Sequence, residues 1–398
     1  MENILPAQEV SGSIHTVAAH PSDADVLFAG ATNGGVWRTD NATDDSPFWR
    51  PLTDFQKSLS IGSLEFDSTD PTHKTLVAGV GRYSSFAQRG GARTGLLKTT
   101  DNGATWNEIT GGGTLSGIGI SGVVPQGNTI VVSSNIADSF ACSNVGIWRS
   151  TNGGTSFNKL GAGSGIAEGV AFDLASDAAN PNILYTSITY GAVCSSLTNG
   201  IYKSTDTGAS WTKVSDVTMD SLIINGTTNN IEIATRNSNV FVNIIQNGQT
   251  AGIFYSSNAG TSWTSMDLPT VPLRSPASIA TVTPGSPVLI TTNTPHGLSS
   301  GKPVQISGVL GTTGANGVFN VEVIGTTAFE LVGSNDTTAY ISGGIWEKLA
   351  GLNPKNKPGG QGGIHASISI DPIISSKVYV GGDRQDLPFF RVQLIDLL

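Results

Sequence analysis

Apolar residues in this chain come in short runs rich in Val, Ile, Thr and aromatics, each closed by a cluster of Gly, Pro, Asn or Asp. Runs of that length and composition predict β-strands. In the first cycle the strands are expected at 14–19 and 26–32, in the second at 61–66 and 75–80. Later counterparts of the second strand fall at 129–134, 183–189 and 240–245. Polar turns separate the two strands of a cycle: His20-Pro21-Ser22-Asp23, then Asp67 to Pro71, then Asn180-Pro181.

A third strand in each cycle reads Gly-apolar-apolar-(Lys/Arg)-(Ser/Thr). The copies begin at Gly35, Gly95, Gly146 and Gly200, with a fifth at Gly252 where Tyr255 replaces the base. From the second copy onward the strand runs into (Ser/Thr)-x-(Asp/Asn)-x-Gly-x-(Ser/Thr)-(Trp/Phe). These turns start at 99, 150, 204 and 256, spacings of 51, 54 and 52 residues. Asp101, Asn152, Asp206 and Asn258 can accept hydrogen bonds from nearby backbone, and the glycine tolerates positive φ, so each segment predicts a tight hairpin turn. Trp106, Phe157, Trp211 and Trp263 then open a fourth strand with a large apolar payload. On this reading the motif is scaffold, with its acids spent on the turn and its aromatics buried. Four short strands per period of about fifty residues describe a propeller blade.

The turn resembles the Asp-box, or BNR repeat, of sialidases, sortilin-type receptors and xyloglucan-cleaving hydrolases. The resemblance covers residues 12 to 267 and resumes at 364. It implies an all-β propeller with five recognisable blades and a partial sixth. For function it implies little, because propellers host unrelated activities. Xyloglucan-cleaving relatives carry an aspartate after the second strand in a Thr-Asp-x-Gly-Gly phrase. The matching phrase here is Thr32-Asn33-Gly34-Gly35, and Asn33 cannot act as nucleophile or base. Asp383 holds a similar post-strand position in the last blade and is the one catalytic candidate, without an evident partner. Glycoside hydrolysis needs two carboxylates flanking the bond. The arginine triad and the Phe-Arg-Ile-Pro-like phrase of sialidases have no counterpart.

Between the fifth blade and the next lies a stretch with no such turn, 275–346, with its own strand pattern. It predicts a small inserted β-barrel. Thr294-Pro295-His296-Gly297-Leu298, Val304 to Gly308 and Ala315-Asn316-Gly317 resemble a module of phage tail and virion proteins, known by its likeness to the first catalytic-cysteine half-domain of ubiquitin-activating enzymes. There is no cysteine in it, so no thioester chemistry follows. His296 stands alone and reads as a turn residue. The expected organisation is blades one to five over 1–270, the inserted module over 271–347, and a partial sixth blade over 348–398. Because the last dozen residues change character where a third strand and turn are due, the chain reads as a truncated propeller.

Charged residues make up 13% of the 398, about half the usual share, and Gly numbers 50. That composition suits a turn-rich β protein facing an extracellular medium. Net charge is −9 with no Lys/Arg cluster, which argues against nucleic acid. No apolar run reaches the roughly 18 residues of a membrane span. Met1 to Pro6 lacks the basic and apolar regions of a signal peptide, so export, if it occurs, is expected by another route, within a phage particle, or as a piece of a longer precursor. Cys142 and Cys194 precede their turns by eight and ten residues and fall in matching loops of neighbouring blades. A disulfide between them is one reading and two free cysteines the other.

Ligands of propellers meet the central axis or the loops at one end. His15 and His365 match one another at the start of innermost strands. They read as ligands for a metal or an acidic sugar, or as polar channel-lining residues bridged by water. The longest loop, 81–93, holds Arg82, Tyr83, Arg89 and Arg93. Arginines grip carboxylates and rings stack on sugar faces, so this loop is the favoured binding candidate, for carbohydrate or another protein. No metal-ligand spacing or cofactor motif is present. The sequence therefore favours a non-catalytic recognition or structural propeller, extracellular or on a virion. The alternative is a fragment of a glycoside hydrolase lacking part of its catalytic constellation.

Overall fold

The computed structural model describes residues 14–81, 90–139, 141–266, 268, 270–272, 276–351, 362–382 and 395–397. They divide into two compact units. The first takes in Met1–Asp267, Gln361–Val380 and Asp396–Leu398, the second Leu268–Gly360 and Gly381–Ile395.

The first unit is a propeller with five four-stranded antiparallel blades. Blade one comprises Ile14–Ala19, Leu27–Ala31, Gly35–Thr39 and Arg50–Pro51. Blade two comprises Ile61–Phe66, Leu76–Val80, Leu96–Thr99 and Asn107–Ile109. Blade three is Ile118–Gln126, Thr129–Ala137, Gly146–Ser150 and Asn158–Lys159. Blade four is Leu174–Asp177, Asn180–Ile188, Gly200–Ser204 and Thr212–Lys213. Blade five is Thr228–Arg236, Asn239–Gln246, Gln249–Ser256 and Thr264–Met266. Strands at Ser367–Ile370, Val378–Gly381 and Ile395–Leu397 form a further three-stranded sheet. Asn180 and Pro181, expected in a turn, already belong to the second strand of blade four, because Asp177 accepts the N–H groups of Ala179 and Asn180 and closes the turn earlier.

Alternation along the strands explains how blades pack. In blade two Leu76 and Ala78 join the core shared with Phe28 and Val36 of blade one, while Val77 joins the core shared with Ile130 and Val132 of blade three. Successive side chains of a strand point to opposite faces, so each blade is apolar on both. Wholly buried second strands such as Leu76–Val80 follow from that sandwiching.

The repeat turn ties neighbouring blades together. Thr99 Oγ1 donates to Asp101 Oδ1 at 2.7 Å and accepts from the Gly103 N–H at 2.9 Å. Asp101 in turn accepts from the Thr105 N–H at 2.8 Å. The same set recurs at Ser150/Asn152/Ser156, Ser204/Asp206/Ser210 and Ser256/Asn258/Ser262. Gly103 has φ +87°, and a Cβ there would lie 2.6 Å from Leu52 Cδ1 of blade one. Trp106, Phe157 and Trp211 are buried and pack backwards into the core shared with the preceding blade. Trp263 departs from the expectation of burial: it is only partly covered, though its Nε1 donates to the Val214 carbonyl at 2.7 Å.

Blade one holds a turn that its sequence disguises. Asn41 Oδ1 accepts from Thr39 Oγ1 at 2.9 Å and from the Phe48 N–H at 2.9 Å. The acceptor reaches seven residues ahead rather than four, and Phe48 is exposed.

The second unit contains a closed six-stranded barrel of Ala277–Thr283, Val288–Thr292, Pro303–Leu310, Gly317–Val323, Ala328–Leu331 and Ser342–Gly351. Its core holds Ile290, Val304, Ile306, Phe329 and Trp346. His296 is buried within it: Nε2 bonds the Gly325 carbonyl at 2.8 Å and Nδ1 accepts from the Leu298 N–H at 2.9 Å. Both ring nitrogens are satisfied, so this histidine is a structural part of the module.

Candidate functional site

Innermost strands have no partner on their axial edge, so polar groups gather around the axis. A cavity of about 520 Å³ opens there, lined by residues of every innermost strand. Its polar lining includes His15, Glu65, Asn135, Asp173, Asn230 and Glu232. That volume lies within the range of small-molecule pockets. No Lys or Arg is among the described residues that line it.

Asp173 stands just before the innermost strand of blade four. Its Oδ1 accepts from the Leu174 N–H and its Oδ2 from the Ile233 N–H of blade five, both at 2.7 Å. Glu232, next to Ile233, accepts from Asn230 Nδ2 at 2.7 Å. Glu65 lies in the innermost strand of blade two. It keeps solvent-accessible surface, while protein surrounds the cavity that it lines. Desolvation, followed by the charge of Asp173, raises its pKa to about 7. Desolvation likewise raises Glu232, with the charge of Asp173 adding to it, and it raises Asp173 against the opposing pull of the Ile233 and Leu174 N–H groups. His15 lies on the same lining; burial, then the charge of His365, lowers it to about 4. A neutral imidazole and three carboxylates short of counter-charge can take up protons and hydrogen-bond a polar ligand.

The sequence reading passed over these acids. Their signal was an acid flanked by apolar residues in or next to an inner strand: Leu64-Glu65-Phe66, Phe172-Asp173-Leu174 and Ile231-Glu232-Ile233. Of the two histidines singled out, His15 lines the cavity and His365 ends the short helix Gly362–His365, close enough to act on His15 electrostatically.

The favoured binding loop is only partly in view. Arg82, Tyr83 and Arg89 lie outside the described residues, as does Asp383. Of the loop's proposed binding residues, Arg93 is described: its side chain is 4% exposed and donates to Asp138 Oδ1 at 2.7 Å. A buried guanidinium held by a carboxylate is a structural tie. Asn33 Oδ1 accepts from Ser60 Oγ at 2.7 Å, joining blade one to the approach of blade two. Asp101, Asn152, Asp206 and Asn258 are occupied by their turns, and Asp101 is held down to about 2 by the Thr105 hydrogen bonds before all others. Cys142 and Cys194 are joined by a disulfide with Cα atoms 5.3 Å apart. Among the described residues no group of three or more His, Cys, Asp or Glu could hold a metal ion, and no helix is long and apolar enough to cross a membrane.

Residues 285–349 match the family model of the ubiquitin-activating enzyme E1 FCCH domain. A xyloglucanase of Paenibacillus sp. is 28% identical over 231 residues, 51% of this chain and 21% of that enzyme. A xyloglucanase of Hypocrea jecorina is 29% identical over 269 residues, 64% of this chain and 26% of that enzyme. The matches thus span about a fifth to a quarter of these relatives' own length. The crystal structure of the GH74 xyloglucanase from Xanthomonas campestris aligns with 94% of this chain and 51% of its own, at 15% identity and a TM-score of 0.45. The chain is a β-propeller whose sequence relatives are xyloglucanases, and its fold is glycoside hydrolase-like.

Proposed function

We propose that this chain is an Asp-box propeller, glycoside hydrolase-like in fold, that serves as a non-catalytic recognition or structural module with carbohydrate as its ligand class. Its setting is extracellular or a virion, where the inserted module, similar to those of phage tails, would also belong. The observation that carries the reading is Asn33. By resemblance it stands where xyloglucan-cleaving relatives place an acid, and here its amide oxygen is built into a hydrogen bond with Ser60. An amide cannot supply the proton transfer or attack that glycoside hydrolysis needs. The acids of the repeat turns are engaged, and Glu65, Asp173 and Glu232 sit among the innermost strands.

The ligand contacts belong to the long loop of blade two, through Arg82, Tyr83 and Arg89. Affinity electrophoresis in gels containing xyloglucan or other plant and bacterial polysaccharides tests this. Retarded migration that disappears in Arg82→Ala/Arg89→Ala is the expected result. Migration indifferent to every polysaccharide would remove carbohydrate as the ligand.

The names of the relatives and the small share of them that is matched favour a second reading, a piece of a glycoside hydrolase whose remaining catalytic residues lie elsewhere in a longer chain.

A further inference from the structure

Asp173 is a side chain of one blade that satisfies the main chain of the next. The Ile233 N–H points to the unpaired axial edge of blade five, where no strand can accept it, and Asp173 Oδ2 does so at 2.7 Å. The residue preceding Ile233 is Glu232, so a second carboxylate adjoins this bridge, and Glu65 approaches from blade two. An ionised carboxylate is the better acceptor for two N–H groups, which assigns the charge to Asp173. Like charges gathered around one cavity disfavour ionisation of the other two acids.

We propose that the axial carboxylates form a proton-operated latch between blades four and five. With Glu65 and Glu232 protonated, Asp173 alone is charged and holds Ile233. When the two glutamates ionise, three like charges face one cavity and the junction loosens.

Among the described residues that line the cavity there is no Lys or Arg, and Asp177 is engaged by the Asn237 and Ser238 N–H groups of blade five. Facing the axis are His15 from blade one, Glu65 from blade two, Asp173 from blade four and Glu232 from blade five. His365 comes from the short helix Gly362–His365, and Asp177 and Arg236 end the innermost strands of blades four and five. The innermost strand of blade three, IGISGVVPQ, and the strand Ser367–Ile370 bring no titratable side chain.

The sign follows from proton counting. Carboxyl groups raised in the folded state bind more protons folded than unfolded, so their ionisation costs stability as pH rises through the raised value. For Glu65 that window runs from the ordinary 4.5 to about 7. His15, lowered to about 4, acts oppositely, adding stability as pH rises from about 4 to its ordinary 6.5. Above about pH 6.5 the opposing contribution of His15 is complete, while the window of Glu232 runs on to about 8.

The test is thermal unfolding of the intact chain between about pH 6.5 and 8.5, beside Glu65→Gln and Glu232→Gln. A Tm that falls with pH in the wild type and falls less in each variant supports the latch. So does hydrogen exchange at the Ile233 amide that accelerates over this range at least tenfold beyond the intrinsic pH effect. Should either variant fail to fold, carbon-13 titration of the glutamate carboxyls in the wild type decides: axial midpoints above about pH 6 support the proposal. A pH-independent Tm, or glutamate midpoints all near the ordinary value of 4.5, would overturn it.

Discussion

Arg38, in the third strand of blade one, donates from Nη1 to the main-chain carbonyl of Asn102 in the repeat turn of blade two, at 2.8 Å. Arg149 reaches Thr207 in the same way at 2.9 Å, and Lys203 reaches Ala259 at 3.0 Å. Each acceptor precedes the turn glycine and has φ between 55° and 62°. In blades one, three and four the base of the repeated strand and the left-handed turn of the next blade are thus two halves of one inter-blade tie. Tyr255 breaks the pattern in blade five, bonding Asn239 of its own blade and stacking on Phe241 at 4.7 Å.

Replacing Arg149 by Met keeps the apolar stem and removes the donor. A partly buried, charge-assisted bond to a carbonyl is worth about 1.5–3 kcal/mol. Urea unfolding should show a loss of that order, while Lys57→Met, whose pair with Glu108 is solvent-exposed, should change stability by under about 1 kcal/mol.

Gly103→Ala should destabilise by about 2 kcal/mol or more, since it meets both a positive φ and Leu52. Ala259 already carries φ +56°, and Ala259→Gly should be neutral or stabilising by up to about 1 kcal/mol. Comparing the two unfolding midpoints checks both.

Trp211→Ala should cost about 3–5 kcal/mol, because the ring fills the core between blades three and four. Trp263→Ala should cost clearly less, because that ring is partly exposed. Equal losses in denaturant melts would contradict the packing described.

The Cys142–Cys194 bond closes a loop with a sequence separation of 52. Loop-closure entropy of that length is worth about 4 kcal/mol. Cys142→Ser/Cys194→Ser should lower the unfolding free energy by up to that amount, and adding a reductant to the double variant should have no further effect.

Blade number and strand order were legible because one turn chemistry recurs with its glycine and its aromatic. The disguised turn of blade one was not, since a three-residue insertion moves the N–H that Asn41 accepts to Phe48. The axial acids were harder still. Glu65, Asp173 and Glu232 lie on three blades, more than a hundred residues apart at the extremes, and only closure of the ring brings them to one cavity. Arg93 looked like part of a cationic loop because sequence does not reveal Asp138 beside it.

The central claim is that this propeller recognises without cleaving. The direct measurement is release of reducing ends from xyloglucan by the purified chain at substrate and enzyme concentrations where binding is saturated. The account predicts no turnover above a no-enzyme control, in the wild type and in Asp383→Asn alike. Turnover in the wild type that vanishes in Asp383→Asn would contradict it and establish the chain as a hydrolase.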